Sequence, residues 1–216
     1  MGPRIAAAPR TTRRESGAAV SETTEHDSAA ESSVTRGARR YVALLRGVNV
    51  GGRNKLPMAD LRDIFSAAGC SAVRTYIQSG NVVFQAGQDL AERAPEIVTE
   101  SIRRQFGYET VVVVRSREEL RQVAASNPFD TSGDPRFLQV AFLADTPDAE
   151  AVSRLDPRRS PPDAFAVQGR HVYLHYPNGV ARSKLTNEYL AAQLQTASTM
   201  RNWRTVLTLL ELVETP

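Results

Sequence analysis

Ala72-Val-Arg-Thr-Tyr-Ile-Gln-Ser-Gly-Asn-Val-Val-Phe-Gln-Ala86 is the stretch on which the fold turns. Two runs rich in β-branched and aromatic residues, 72–77 and 82–86, flank Gln78-Ser79-Gly80-Asn81. Gly and Asn tolerate positive φ, so the stretch reads as a β-hairpin. Upstream, residues 40–46 (Arg-Tyr-Val-Ala-Leu-Leu-Arg) form a continuous apolar run, as in a strand covered on both faces. Between that run and the hairpin, Leu61, Ile64, Phe65 and Ala68 recur at helical spacing, with Pro57 as a first helical residue and Gly69 as the stop. Downstream, Leu90, Ala94, Ile97, Val98, Ile102 and Phe106 keep a helical register over 89–106 until Gly107, and 110–115 is the clearest strand in the chain.

The order is β-α-β-β-α-β, the split βαβ or ferredoxin-like arrangement, and the fold class is α+β. A right-handed crossover makes its first two strands parallel. The loop after strand one (47–56) and the hairpin tip (78–81) are therefore expected side by side, gathering Arg46, Asn49, Arg53, Lys55, Gln78, Ser79 and Asn81. The second half partly repeats the pattern. A helix is expected at 117–125, a strand at 137–144, a helix near 147–155, strands at 164–168 and 171–176, and helices near 186–194 and 202–213. This predicts a ferredoxin-like subdomain over 39–116 and a second, related α+β subdomain over 117–216. Residues 1–38, rich in Ala, Arg, Ser, Thr and Glu, read as a disordered tail. Its acidic residues Glu22, Glu25, Asp27 and Glu31 argue against a transit peptide.

Of 27 basic residues only Lys55 and Lys184 are lysine. Lysine is a compact, rotatable ammonium and arginine a rigid planar fork, so the exceptions mark two segments, Gly51-Gly52-Arg53-Asn54-Lys55 and Ser183-Lys184-Leu185-Thr186. The net charge of +3 is too small to argue nucleic-acid binding. The single cysteine, Cys70, excludes an internal disulfide framework and reads as a buried filler, in keeping with a cytoplasmic location. No apolar run approaches the roughly 20 residues of a membrane span, so no membrane partner is expected.

The glycine loop after strand one lacks the Lys-Ser/Thr of a phosphate-binding P-loop, since Arg53 and Asn54 stand there. His171 and His175 share a strand face without a carboxylate partner, and neither a metal nor a cofactor is expected. Ser183 and Lys184, adjacent on an extended chain, point opposite ways and do not form a dyad. The polar motifs hold Arg, Lys, Asn, Gln and Ser but no His, Cys, Asp or Glu suited to proton transfer. Donor-rich and base-poor, they suit recognition of an anion. The candidate site residues are Arg46, Lys55 and Lys184 for charge; Asn49, Gln78, Ser79, Asn81 and Ser183 for neutral hydrogen bonds; Gly51 and Gly52 for close approach; and Arg201, just outside the last helix, as an accessory cation.

Leu45-Arg46-Gly47-Val48-Asn49-Val50-Gly51-Gly52, Thr75-Tyr76-Ile77-Gln78-Ser79-Gly80-Asn81-Val82, Asn127-Pro128-Phe129, Ser183-Lys184-Leu185-Thr186 and Arg201-Asn202-Trp203 together resemble the bacterial family called domain of unknown function (DUF) 1697. The resemblance covers residues 40 to about 213. It implies a soluble α+β protein with ferredoxin-like subdomains, and no assigned activity. Three functional expectations follow. The first is binding of a small anionic molecule, a phosphorylated metabolite or nucleotide. The second is single-stranded nucleic-acid binding on a sheet face, which needs exposed aromatics beside a basic groove. The third is a protein-partner module.

Overall fold

The computed structural model describes residues 37–215; most of the segment read as a tail lies outside them. The hairpin is present as β2 (Ser71–Tyr76) and β3 (Asn81–Ala86). Before it come β1 (Arg39–Leu45) and α1 (Met58–Ala67), and after it α2 (Gln88–Phe106), β4 (Val112–Ser116) and α3 (Arg117–Ala125). The first sheet has the order β2-β3-β1-β4 with every neighbouring pair antiparallel. β1 and β2 are thus parallel with β3 between them, as the crossover argument requires.

The second half runs β5 (Leu138–Leu143), α4 (Ala149–Ser153), β6 (Ala164–Gln168), β7 (His171–His175), α5 (Asn187–Leu194), β8 (Ser198–Asn202) and α6 (Trp203–Glu214). Its sheet order, β6-β7-β5-β8, is the first sheet's order with each strand replaced by its counterpart. Both halves are therefore complete β-α-β-β-α-β-α units. Sequence reading had not found β8, because Ser-Thr-Met-Arg-Asn carries no apolar alternation. Its Ser198 and Thr199 are buried by partners distant in sequence.

The period-two alternation of the central strands sorts the core into layers. Tyr41, Ala43 and Leu45 face α1 and α2, meeting Leu61, Phe65, Ala94 and Val98. Val42 and Leu44 face the opposite way, into a shared core with Val140 and Phe142 of β5. Leu120 and Val123 of α3, and Trp203, Val206, Leu209 and Val213 of α6, fill the same space. Ala141 and Leu143 face a third cluster with Leu190 and Leu194 of α5. Each sheet is thus covered on both sides, which explains why 40–46 is an unbroken apolar run. At about 1.5–3 kcal/mol per large apolar side chain fully buried, the shared middle layer is what joins the halves.

Local signals set the element ends. Gly107 closes α2 in the left-handed conformation, with φ of 75°. Ser116 and Glu119 form a reciprocal capping box at the start of α3, and Asn202 accepts from the Thr205 amide at the start of α6. Among the described residues no helix is long and apolar enough to cross a membrane.

Candidate functional site

Loop 47–56 and the hairpin tip are neighbours. The Leu45 amide donates to the Gly80 carbonyl at 2.8 Å, and Asn49 Nδ2 donates to the carbonyls of Gln78 at 3.0 Å and Leu56 at 2.8 Å. Asn49 Oδ1 accepts from the Leu56 amide at 2.8 Å, so this side chain staples its own loop. Gly80 has to be glycine: its φ is +69°, and an added Cβ would lie 2.6 Å from Val48 Cγ2 and 2.7 Å from Leu45 Cβ. Asn81 is fully buried, and its Nδ2 donates to the Tyr76 carbonyl at 3.1 Å and to Ser79 Oγ at 2.9 Å.

Arg201 completes this corner from the other half. It lies in β8, just outside α6 as expected, is 9% exposed, and is surrounded by oxygens. Its Nε donates to Asn81 Oδ1 at 2.5 Å, and its Nη2 to the carbonyls of Leu45 at 2.6 Å, Ser79 at 3.1 Å and Gly80 at 3.3 Å. Nη1 donates to Thr199 Oγ1 and to the Met200 carbonyl, each at 2.8 Å. Burial pushes its pKa down to about 10, still far above neutrality, so it stays charged.

Arg115 makes the equivalent arrangement in the opposite direction. It sits on β4, opposite Val42, as Arg201 sits on β8 opposite Val140. It is 1% exposed, and its Nη2 donates to the carbonyls of Leu143 at 2.5 Å and Arg170 at 3.0 Å. Its Nε donates to His171 Nε2 at 3.0 Å, and its Nη1 to the Val114 carbonyl at 2.8 Å. Leu143, Arg170 and His171 are the counterparts of Leu45, Gly80 and Asn81. Each half therefore sends one arginine from its edge strand into the hairpin end of the other. Burial, then the Arg170 charge, lower the Arg115 pKa to about 10. Burial, then the Arg115 charge, push His171 down to about 4, so it is neutral at pH 7 and its Nε2 is free to accept.

The remaining sequence candidates are more open. Arg46 pairs with Glu188 of α5 at 2.8 Å, which ties the strand-one loop to the segment that carries Ser183 and Lys184. Ser183 Oγ accepts from the Leu185 amide at 3.0 Å, and the Lys184 amide donates to Ser160 Oγ at 3.1 Å. Gln78, Gly51, Gly52 and the side chains of Lys55 and Lys184 are exposed. Beside them Ile77 is 52% exposed with φ of +48°, a left-handed conformation that is strained for a β-branched residue. Most of the neutral donors of this corner are thus spent on internal bonds.

A cavity of about 520 Å³ lies at the other corner, and sequence reading had chosen none of its lining residues. β4 contributes Val112–Ser116, β1 contributes Arg39 and Tyr41, and α2 contributes Gln88, Ala91, Glu92 and Pro95. Glu119 closes one side, and Ala144, Asp145 and Arg170 come from the second half. The Glu119 carboxyl accepts from the Ser116 amide at 2.8 Å and from Arg170. Burial opposes its ionisation, but the Ser116 amide, Arg115 and Arg170 outweigh that and hold it below the usual range. Tyr41 is 7% exposed as a residue and lines the cavity; its hydroxyl has no hydrogen-bond partner among the described residues but remains open to solvent. Burial, then the neighbouring Glu92 and Glu119 charges, raise its pKa against the pull of Arg39. One signal in the sequence does point here. Thr110-x-x-x-x-Arg115-Ser116 and Thr196-x-x-x-x-Arg201-Asn202 share their spacing and their helix cap, and they mark the two edge strands as equivalent.

The platform expected for stacking nucleic-acid bases is absent from the described sheets. Phe84 is fully buried and Tyr41 nearly so, stacked on each other beneath α1 and α2. Cys70 is buried, and burial pushes its thiol up to about 11.

The family model described as "Protein of unknown function (DUF1697)" matches residues 38–173. The chain belongs to this family. A solved structure of a conserved bacterial protein from Streptococcus pneumoniae is similar in fold, with a TM-score of 0.62 at 21% identity. The similarity covers 82% of this chain and 99% of that one, so the two share a fold over nearly the whole of that chain. No curated protein matches the chain.

Proposed function

We propose that the protein binds a small molecule with an anionic group, and that the ligand sits in the cavity between the two halves, on Arg39, Arg170 and the Tyr41 hydroxyl. The observation that carries this reading is Tyr41, whose ring is packed into the core while its hydroxyl, unpaired among the described residues, is not sealed off from solvent beside the cavity. A hydroxyl that is open to the cavity in this way can donate to a ligand oxygen, a bond worth about 0.5–1.5 kcal/mol net. Arg39, Arg115 and Arg170 bring positive charge to a lining that also holds Glu92, Glu119 and Asp145. Arg115 and Arg170 face one carboxylate, Glu119, which is already bonded. The volume lies within the roughly 300–1,000 Å³ of ordinary small-molecule sites.

A thermal-shift screen against phosphate, nucleoside monophosphates, sugar phosphates, free amino acids and short peptides tests the reading. A ligand selective for the native state at about 100 times its Kd adds about 2.7 kcal/mol of apparent stability. The expected result is a rise in Tm that is lost in Tyr41→Phe and weakened in Arg39→Ala. A panel without effect, or a rise retained in both variants, refutes this site. Lys55 and Lys184 then become the donors to test, since the net positive charge around loop 47–56 supports that corner as the second place for an anion.

A further inference from the structure

We infer that the ligand of this cavity is a short, free peptide lying along the open edge of β4; this rests on the proposed binding at Arg39, Tyr41 and Arg170. β4 is the last strand of its sheet, paired only with β1. The Arg46 amide donates to the Val111 carbonyl at 2.9 Å, so the odd positions 111, 113 and 115 bond to β1. The backbone groups of Val112, Val114 and Ser116 therefore point outward, and all three residues line the cavity. The Val114 carbonyl is taken by Arg115 and the Ser116 amide by Glu119. The amides of Val112 and Val114 and the carbonyl of Val112 have no partner among the described residues. Donors and acceptors alternating along an edge are what a peptide backbone recognises.

The other half carries its own control. Ser198 of β8 is the counterpart of Val112, and there the outward carbonyl is closed by an amide: Asn187 Nδ2, at the start of α5, donates to it at 3.0 Å. The matching residue at the start of α2 is Gln88, and its amide turns instead to Glu92 at 3.0 Å. One edge is filled by a carboxamide of the chain, and the other faces a cavity. A further acceptor stands across from it. Pro95 lies inside α2 and has no N–H for the Ala91 carbonyl, and both residues line the same space. A plain anion leaves these acceptors unused, whereas a peptide's amide N–H groups meet them. The lining charges also balance, Arg39, Arg115 and Arg170 against Glu92, Glu119 and Asp145. That suits a zwitterion, with its carboxylate on Arg39 and Tyr41 and its ammonium on the exposed Glu92 and Asp145.

The test is a backbone amide NMR titration of the whole chain with alanyl-leucine and leucyl-alanine, and in parallel with AMP and with inorganic phosphate. The dipeptides are expected to move the Val112 and Val114 amide signals downfield. Val112→Pro removes an outward N–H that the sheet does not use, and it is expected to raise their Kd about five- to tenfold. AMP or phosphate moving the signals of Arg39 and Tyr41, with the dipeptides leaving Val112 and Val114 unmoved, overturns the peptide inference and leaves the anion reading standing. No movement around the cavity with any probe overturns both. The wild-type titration decides between these results even where Val112→Pro does not fold.

Discussion

Replacing Arg201 by methionine tests whether the reciprocal arginines hold the halves together. Methionine keeps most of the volume and removes every donor. Asn81 Oδ1, bonded by Arg201 at 2.5 Å, is left without a partner. The Leu45 carbonyl keeps only the 3.4 Å contact from Thr199 Oγ1. Two buried acceptors stripped of their partners cost about 1–3 kcal/mol each. Relief from burying the guanidinium, whose pKa is lowered by that burial, returns part of the cost. The expected net loss is about 3 kcal/mol, a large share of the roughly 5–15 kcal/mol that keeps a domain folded. For a chain of this size it lowers Tm by roughly 6–12 °C. Urea unfolding followed by circular dichroism and by the fluorescence of Trp203, the only tryptophan, measures it. Because Trp203 lies in the layer shared by the halves, the two probes are expected to shift together. A loss below about 1 kcal/mol, or a gain, refutes the reasoning: the arginine's desolvation then outweighs its bonds.

His171, with a native pKa near 4 against about 6.5 when unfolded, gives a signed pH dependence. Between these values the unfolded chain binds more protons, so stability is full above about pH 6.5 and falls as pH drops towards 4, by roughly 3 kcal/mol in all. His171→Gln keeps an acceptor for Arg115 and is expected to flatten that fall in urea melts at pH 7 and 4.5; an unchanged slope removes His171 as its source. Gly80→Ala is expected to cost about 2–4 kcal/mol, from its positive φ and the Leu45 and Val48 contacts. Gly52→Ala, with the same sign of φ but open space, should cost only about 1 kcal/mol, and equal losses in denaturant would contradict the packing argument. Cys70 is expected to resist thiol reagents at pH 8 in the native chain and to react promptly in denaturant; fast native labelling would show that the site is open.

Much of the fold was legible along the chain because its signals are local. The apolar run at 40–46, the Gln78–Asn81 turn, the register of α2 and the stop at Gly107 each depend on residues a few positions apart. Chain order and crossover handedness then sufficed to set loop 47–56 beside the hairpin tip. The polar candidates were found at the right end of the first sheet, but their work was not legible. Asn49, Asn81 and Arg201 look like ligand donors in a list of residue types, and only their partners show them closing the structure. β8 was invisible for the same reason, since its polar Thr199 and Arg201 are buried by partners in the first half and not by its own composition.

The sequence by itself determined two α+β units, the family, and the polar set around loop 47–56. Only the tertiary structure decided that the units face each other across a shared layer of α3 and α6, exchange Arg115 and Arg201, and leave one edge strand open beside Tyr41. Helices, turns and strands are set by interactions between near neighbours, whereas the exchange joins residues 28 to 156 positions apart. No local pattern encodes contacts of that span, and the cavity exists only where they bring the halves together.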